Sequence, residues 1–154
     1  MANVKPIPEG YHSVTPYLII NGAADAIEFY KNAFGATELF RMEHGGQIGH
    51  AEIKIGDSPI MLADEQTEMG YTSPTTLGGT PVSIMIYVDD VDTIFKQAIA
   101  AGGETKKAVQ DQFYGDRSGS LKDPFGHMWH VATHKEDVSP QEMEKRMAAA
   151  GHGG

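Results

Sequence analysis

Apolar positions along this chain change period in the same order twice. Tyr17-Leu18-Ile19-Ile20 is a short apolar run closed by Asn21-Gly22, the pattern of a strand that ends in a turn. Ala26, Ile27, Tyr30 and Phe34 then recur at helical spacing, which predicts a helix over 23–34 with Gly35 as its C-terminal cap. Strands are expected at 38–43 and 49–55 around His44-Gly45-Gly46-Gln47, and at 59–63 after Gly56-Asp57. The second pass repeats the order: a strand at 82–88, a helix over 91–101 carrying Ile94, Phe95, Ala98 and Ile99, then Gly102-Gly103. Strands near 105–109, 117–122 and 127–133 complete it, the last two joined by Asp123-Pro124-Phe125-Gly126. Pro16 inside the first strand, expected to span 13–20, marks an edge position, because proline cannot donate to a ladder.

Each pass reads βαβββ, and equivalent positions lie roughly 68 residues apart, beyond the roughly 20 to 50 residue period of a solenoid. The fold class is therefore α+β, with tandem units over about 12–65 and 82–134 building curved mixed sheets around a cleft. Two half-domains with one apolar sheet face each bury those faces by curling around each other, so a ligand is expected between them. Residues 66–81 are dense in Gly, Pro and Thr without periodicity and read as a long linker. Ser139-Pro140-Gln141-Glu142 combines an N-cap serine, a proline at the first helical position and a capping-box glutamate. A final helix over about 139–150 follows, ended by Gly151, and its Met143 and Met147 are spaced to dock it on the body or on a second subunit.

The length of 154 residues fits a single domain, which at this size buries about 68–70% of its unfolded surface. The 21 acidic and 12 basic residues give a formal charge of -9 with no basic stripe, which argues against nucleic acid as a partner. The absence of cysteine closes disulfide, thiolate-metal and thiol-nucleophile chemistry, so any metal must use His, Asp, Glu or water. The first ten residues lack the apolar core of a signal peptide, and no run approaches the ~20 apolar residues of a membrane span. The expectation is a cytoplasmic protein with no membrane partner.

The tandem βαβββ units, the helix motif Ala26-Ile27-Glu28-Phe29-Tyr30-Lys31-Asn32-Ala33-Phe34-Gly35 and the turn Asp123-Pro124-Phe125-Gly126-His127 resemble the vicinal oxygen chelate superfamily, the glyoxalase, bleomycin-resistance and extradiol-dioxygenase group. The similarity spans roughly 12–134. Met61-Leu62-Ala63-Asp64-Glu65, Tyr114-Gly115-Asp116-Arg117 and the segment from Asp123 to His134 resemble its PhnB-like branch. The resemblance implies metal ligands near the start of each unit's first strand and on each unit's last strand. Those positions fall at Thr15, Met61, Ser83 and His130, of which only His130 is a good ligand. A catalytic zinc or nickel site needs about three N, O or S donors around an open position, so glyoxalase-type metal chemistry is disfavoured. A slip of one residue promotes His12, His50 or Glu52 but also moves the apolar pattern.

His130 is the sharpest single candidate, as a general base or as a hydrogen-bond partner for a ligand; the alternative is a histidine bonded to its neighbours. Trp129 and His127 alternate to the opposite face and are read as packing against a helix or a dimer interface. Tyr17, Met61, Met85 and Tyr87 share the inward alternation of Thr15 and Ser83, a lining that suits a partly apolar or aromatic molecule or, alternatively, a filled core. Asp116 and Arg117 stand at a strand entry, to anchor a polar ligand or to cap the turn and pair with each other. His50 and Glu52 share one strand face, as a metal pair or as ordinary exposed residues. Asp64 and Glu65 are expected to meet solvent at the linker, with an acid–base or ligand role as the alternative.

The reading that follows is a homodimeric, glyoxalase-like protein that binds a small, partly apolar molecule in the inter-unit cleft without the glyoxalase metal set. The alternative is a metal-dependent lyase, isomerase or dioxygenase of the same superfamily, using His130 and an atypical set of ligands for a divalent metal. Whether the units pair within one chain or between two is open.

Overall fold

The structure is a computed structural model and describes residues 3–151. The first unit holds β1 (Tyr17–Ile20), α1 (Ala23–Phe34), β2 (Thr37–His44), β3 (Gln47–Ile55) and β4 (Ser58–Asp64). Its sheet has the order β1-β4-β3-β2, with β1 parallel to β4 and the other pairs antiparallel. The linker carries a 3₁₀ turn (Thr67–Met69) and one helical turn, α2 (Pro74–Leu77). The second unit, β5 (Ser83–Tyr87), α3 (Val91–Ala101), β6 (Glu104–Asp111), β7 (Asp116–Lys122) and β8 (Met128–His134), repeats the topology as β5-β8-β7-β6. Helix α4 (Pro140–Ala149) follows.

Both repeats thus fold as the apolar pattern predicts, and the departures have local causes. β1 is an edge strand but begins at Tyr17, because Pro16 has no N–H to give; its carbonyl still accepts from Met61 N at 3.0 Å. The linker is not featureless. Ser73, fully buried, caps α2, and Glu65 fastens the segment by accepting from Ser73 N at 2.9 Å and Thr76 Oγ1 at 3.0 Å. Gly126 lets α2 lie close, since a Cβ there would come within 2.9 Å of Pro74.

One face of each sheet is apolar and covered. Leu18, Ile20, Ala51, Ile53 and Leu62 lie under α1, and Leu121, Trp129 and Val131 lie on the corresponding side of the second sheet. The two helices pack against each other, and Gln97 Nε2 donates to Ala33 O at 3.0 Å. α1 follows Gly22, which has no capping side chain, and Asp64 from β4 supplies the cap: Oδ1 accepts from Gly22 N (3.1 Å) and Ala23 N (2.8 Å), and Oδ2 from Ile48 N (2.8 Å). Asp64 and Glu65, expected at the solvent, therefore hold backbone instead.

The units are joined through Asp123, 2% exposed, in the turn between β7 and β8. Its Oδ2 accepts from Tyr30 OH of α1 at 2.6 Å and from Trp129 Nε1 at 2.9 Å. Its Oδ1 accepts from Phe125 N (2.9 Å) and His127 N (3.0 Å). Tyr30 and Phe34 pack on Trp129 with ring centroids 5.2 and 4.7 Å apart, and burial pushes the Tyr30 phenol pKa well above its ordinary value. His127, read from the sequence as a packing residue, donates from Nε2 to Ile19 O of β1 at 3.0 Å.

α4 starts as the capping box predicts, with Ser139 Oγ accepting from Glu142 N at 3.2 Å. Arg146 ties it down by donating to Phe113 O at 3.2 Å and Glu136 Oε1 at 2.6 Å, while Met147 stays 44% exposed.

Removing the shared acceptor strands two buried donors, each costing about 1–3 kcal/mol, so Asp123→Ala is expected to lose at least about 2 kcal/mol in urea unfolding. Tyr30→Phe leaves the carboxylate its other donors and is expected to cost about 1.5–3 kcal/mol. Equal stability of Asp123→Ala and wild type contradicts the joint.

Candidate functional site

The second face of each sheet, turned away from the α1–α3 contact, is where the candidate residues gather. Strand register sets them in rows. Tyr17 pairs with Met61, Met61 with Glu52, and Glu52 with Phe40 across the first sheet. Met85 pairs with His130, His130 with Ser120, and Ser120 with Lys107 across the second. On this side Tyr17 is 47%, Met85 43% and Tyr87 62% exposed, whereas Trp129 and Val131 on the helix side are at 0%. Alternation alone accounts for the contrast.

His130 is held from both sides. Its Nδ1 lies 2.6 Å from Ser120 Oγ and its Nε2 3.0 Å from Ser83 Oγ, so the imidazole is fixed in orientation by two hydroxyls. Ser83 is thus a partner of His130 rather than an independent ligand. Tyr87 OH donates to Asp116 Oδ2 at 2.9 Å, and that bond is the main cause raising the phenol's pKa. Asp116, 5% exposed, also meets His134 Nδ1 at 2.7 Å, and His134 Nε2 meets Asp137 Oδ1 at 2.8 Å.

Arg117 stands apart from this cluster. As the next strand residue after Asp116 it points to the helix side, where Nε and Nη2 donate to Asp92 at 2.9 and 3.0 Å and Nη1 to Asp111 at 3.2 Å. The two residues expected to act together at the cleft mouth therefore serve opposite faces. Thr15 precedes β1 and is half-buried.

On the first sheet, His50 and Glu52 bond to each other, Nε2 to Oε2 at 2.8 Å, and His50 Nδ1 meets Tyr17 OH at 2.8 Å. Tyr11 OH donates to the other Glu52 oxygen. This bond, followed by the one to His50, lowers the Glu52 pKa; burial and Glu52 together push the Tyr11 phenol up to about 12. The spacing of His50 and Glu52 shows that they share a face, but the two tyrosines enter only through strand order and the path of the leading segment.

The metal positions implied by the superfamily resemblance hold two hydroxyls and one thioether besides one imidazole whose ring nitrogens both face serine hydroxyls. This donor chemistry does not fit a zinc or nickel centre. Among the described residues, no group of three or more His, Asp or Glu side chains is placed to hold a metal ion. A groove of 870 Å³ follows the β5 edge where it approaches the first unit, with Pro16, Ile60, Ile84, Met85 and Tyr87 among its walls. A second hollow of 410 Å³ lies over Tyr17, Ile19 and Ala63 and is walled by Met69 and Tyr71 of the linker.

Asp116, and after it Asp137, raises the His134 pKa. A raised folded-state pKa stabilises the protonated form, so the contribution is complete below the unfolded value of about 6.5 and is lost as pH rises through the folded value. The stability difference between wild type and His134→Gln is therefore expected to shrink as pH rises from about 6 to about 9, read by urea unfolding. A difference constant over that range contradicts the ion pair.

Residues 11–131 match the Glyoxalase/Bleomycin resistance protein/Dioxygenase superfamily. An uncharacterised protein of Mycobacterium bovis is 39% identical over 155 residues, covering 98% of each chain. The crystal structure of TioX from Micromonospora sp. ML1 superposes with a TM-score of 0.64 at 25% identity, covering 83% of this chain and 100% of that one. The PhnB protein of Bacillus cereus shares the fold at a TM-score of 0.62 and 18% identity, over 79% and 99% of the two chains. Duplicated βαβββ units, the superfamily match and this likeness to solved structures agree, and the chain belongs to the Glyoxalase/Bleomycin resistance protein/Dioxygenase superfamily.

Proposed function

We propose that the protein binds a small, partly apolar or aromatic molecule against the uncovered sheet faces and does so without a metal. The observation that carries this reading is the contrast between the two sides of each sheet. One side is packed under helices, while the other presents Tyr17 and Met61 on the first sheet and Met85, Tyr87 and the fixed imidazole of His130 on the second. Thioether and aromatic groups supply adaptable apolar contact, and a few oriented polar groups set the ligand's direction. Asp116, anchored by Tyr87 and His134, is the acidic member of the lining. The donor set at the positions that the superfamily resemblance implies for metal supports binding over metal chemistry.

The same faces need cover. Leu39, Phe40 and Met42 on β2 are 48%, 46% and 56% exposed, in addition to Tyr17, Met85 and Tyr87, large apolar side chains that a partner's surface would take out of water. A second copy of the chain is the occupant we assign, making a cytoplasmic homodimer whose clefts the two copies close. Among the described residues no helix is long and apolar enough to cross a membrane.

Calorimetric titration with a panel of aromatic compounds is expected to give micromolar binding that chelator leaves unchanged. Met85→Glu, placing a charge on the apolar lining, is expected to weaken it at least tenfold, about 1.4 kcal/mol. Binding that disappears with chelator, or no heat from any compound, overturns the reading. Sedimentation is expected to show twice the chain mass of 16.7 kDa for wild type and a monomer for a Phe40→Asp, Met42→Glu double variant; a monomeric wild type contradicts the shared cleft.

A further inference from the structure

On the uncovered face of the first sheet, three polar side chains from two strands form an unbroken line. Glu52 Oε2 lies 2.8 Å from His50 Nε2, and His50 Nδ1 lies 2.8 Å from Tyr17 OH. Strand order builds the line. His50 and Glu52 are two apart on β3, and Tyr17 on β1 reaches them across Met61, the intervening residue of the same row. Carboxylate, imidazole and hydroxyl in this order allow the imidazole to take a proton at the hydroxyl while the carboxylate orients the ring and compensates its charge. The outer end of the line opens into the 410 Å³ hollow, where Tyr17 is joined by Ile19, Ala63, Met69 and Tyr71. Met69 and Tyr71 give the hollow an apolar and aromatic wall beside Tyr17.

We propose that Glu52, His50 and Tyr17 are a proton relay that ionises a phenolic ligand seated in this hollow and holds it as its oxyanion. The inference rests on the reading of the open faces as a ligand surface and assigns the class of ligand taken by its first-sheet hollow, apart from the groove lined by Met85. Before transfer, Tyr17 O–H donates to His50 Nδ1, His50 Nε2–H donates to Glu52, and the ligand O–H donates to the Tyr17 oxygen. In the transfer the ligand O–H and the original Tyr17 O–H bonds break, and a new Tyr17 O–H and a His50 Nδ1–H bond form. Tyr17 then donates to the ligand oxyanion, and the His50 imidazolium lies between Tyr17 and the Glu52 carboxylate. The proton ends on His50, so no further reactant is needed.

The ionisable groups around this line and its hollow are Tyr11 from the leading segment, Glu52 on β3, Tyr17 on β1, Tyr71 from the linker and Asp64 on β4, whose carboxylate is held by the N–H groups of Gly22, Ala23 and Ile48. Burial, then Tyr71 and Glu52, raises the Tyr17 pKa, which keeps Tyr17 a phenol at the end of the transfer and leaves the charge on the ligand. Tyr11 holds the second Glu52 oxygen, fixing the carboxylate in place.

The test uses 4-nitrophenol, whose phenolate has its own visible absorption band, with wild type, His50→Gln and Tyr17→Phe. Calorimetry reads binding and absorbance reads ionisation in the same samples, at one pH unit below the probe's own pKa. The wild type is expected to raise the ionised-to-neutral ratio of bound probe at least tenfold, about one pKa unit, over free probe. Both variants are expected to bind the probe and to lose the rise, because glutamine takes up no proton and phenylalanine passes none. Binding of the phenolate by His50→Gln at a pH above the probe's pKa shows that its hollow is intact; if that variant does not fold, Tyr17→Phe alone decides. Wild-type binding without the rise, or a rise kept in either folded variant, overturns the relay and leaves the ligand surface standing. Heat from other aromatic compounds but none from 4-nitrophenol overturns the phenolic assignment alone, and no heat from any compound overturns both readings.

Discussion

The carboxylate of Asp123 is the interaction on which the arrangement of the two units depends. Each βαβββ unit buries one sheet face under its own helix, and that burial by itself does not say how the units meet. Asp123, placed in the turn before β8, gathers Tyr30 from the first unit, Trp129 from the second and two backbone N–H groups of its own turn. A carboxylate at 2% exposure is tolerated because four donors replace its water. These bonds fix the rotation of Trp129 and, with it, the contact with Phe34 and Tyr30 on which α1 rests. With both helices on the inner side, the opposite faces of the sheets stay uncovered.

The apolar pattern made the fold legible because helix and strand periods alternate cleanly and glycines mark the ends. Helices 23–34 and 91–101 follow directly from Ala26, Ile27, Tyr30 and Phe34 and from their counterparts Ile94, Phe95 and Ala98. Strand alternation also sorted Tyr17, Met61, Met85 and His130 from Trp129. It sorts Asp116 from Arg117 as well, since neighbours in a strand face opposite ways, yet the pair reads as one unit in the sequence because the letters are adjacent. What the sequence conceals is long-range geometry. Nothing local says that Asp64 caps a helix 41 residues away, that Glu65 holds Ser73, or that Tyr11 and Tyr17 converge on Glu52 and His50. Those partners depend on strand order, which is set by the whole sheet.

The duplication has diverged most where it is least packed. The buried helix-side positions of both units are mostly apolar, because a polar group there needs a partner, as Arg117 has in Asp92. Position by position the uncovered rows differ: Tyr17, Met61 and Glu52 stand opposite Met85, His130 and Ser120. One half carries a carboxylate, imidazole and phenol line, the other an imidazole fixed by serines. A pseudo-symmetric scaffold thus presents two unlike walls.

The central claim is that ligands meet these uncovered faces, and methionine methyl NMR tests it most directly. Met61 and Met85 lie on the faces, whereas Met143 and Met147 lie on α4. Addition of an aromatic ligand is predicted to shift the Met61 and Met85 methyl signals through ring currents and to leave those of Met143 and Met147 in place. Shifts confined to the α4 methionines, or absent from Met61 and Met85 at saturating ligand, contradict the account.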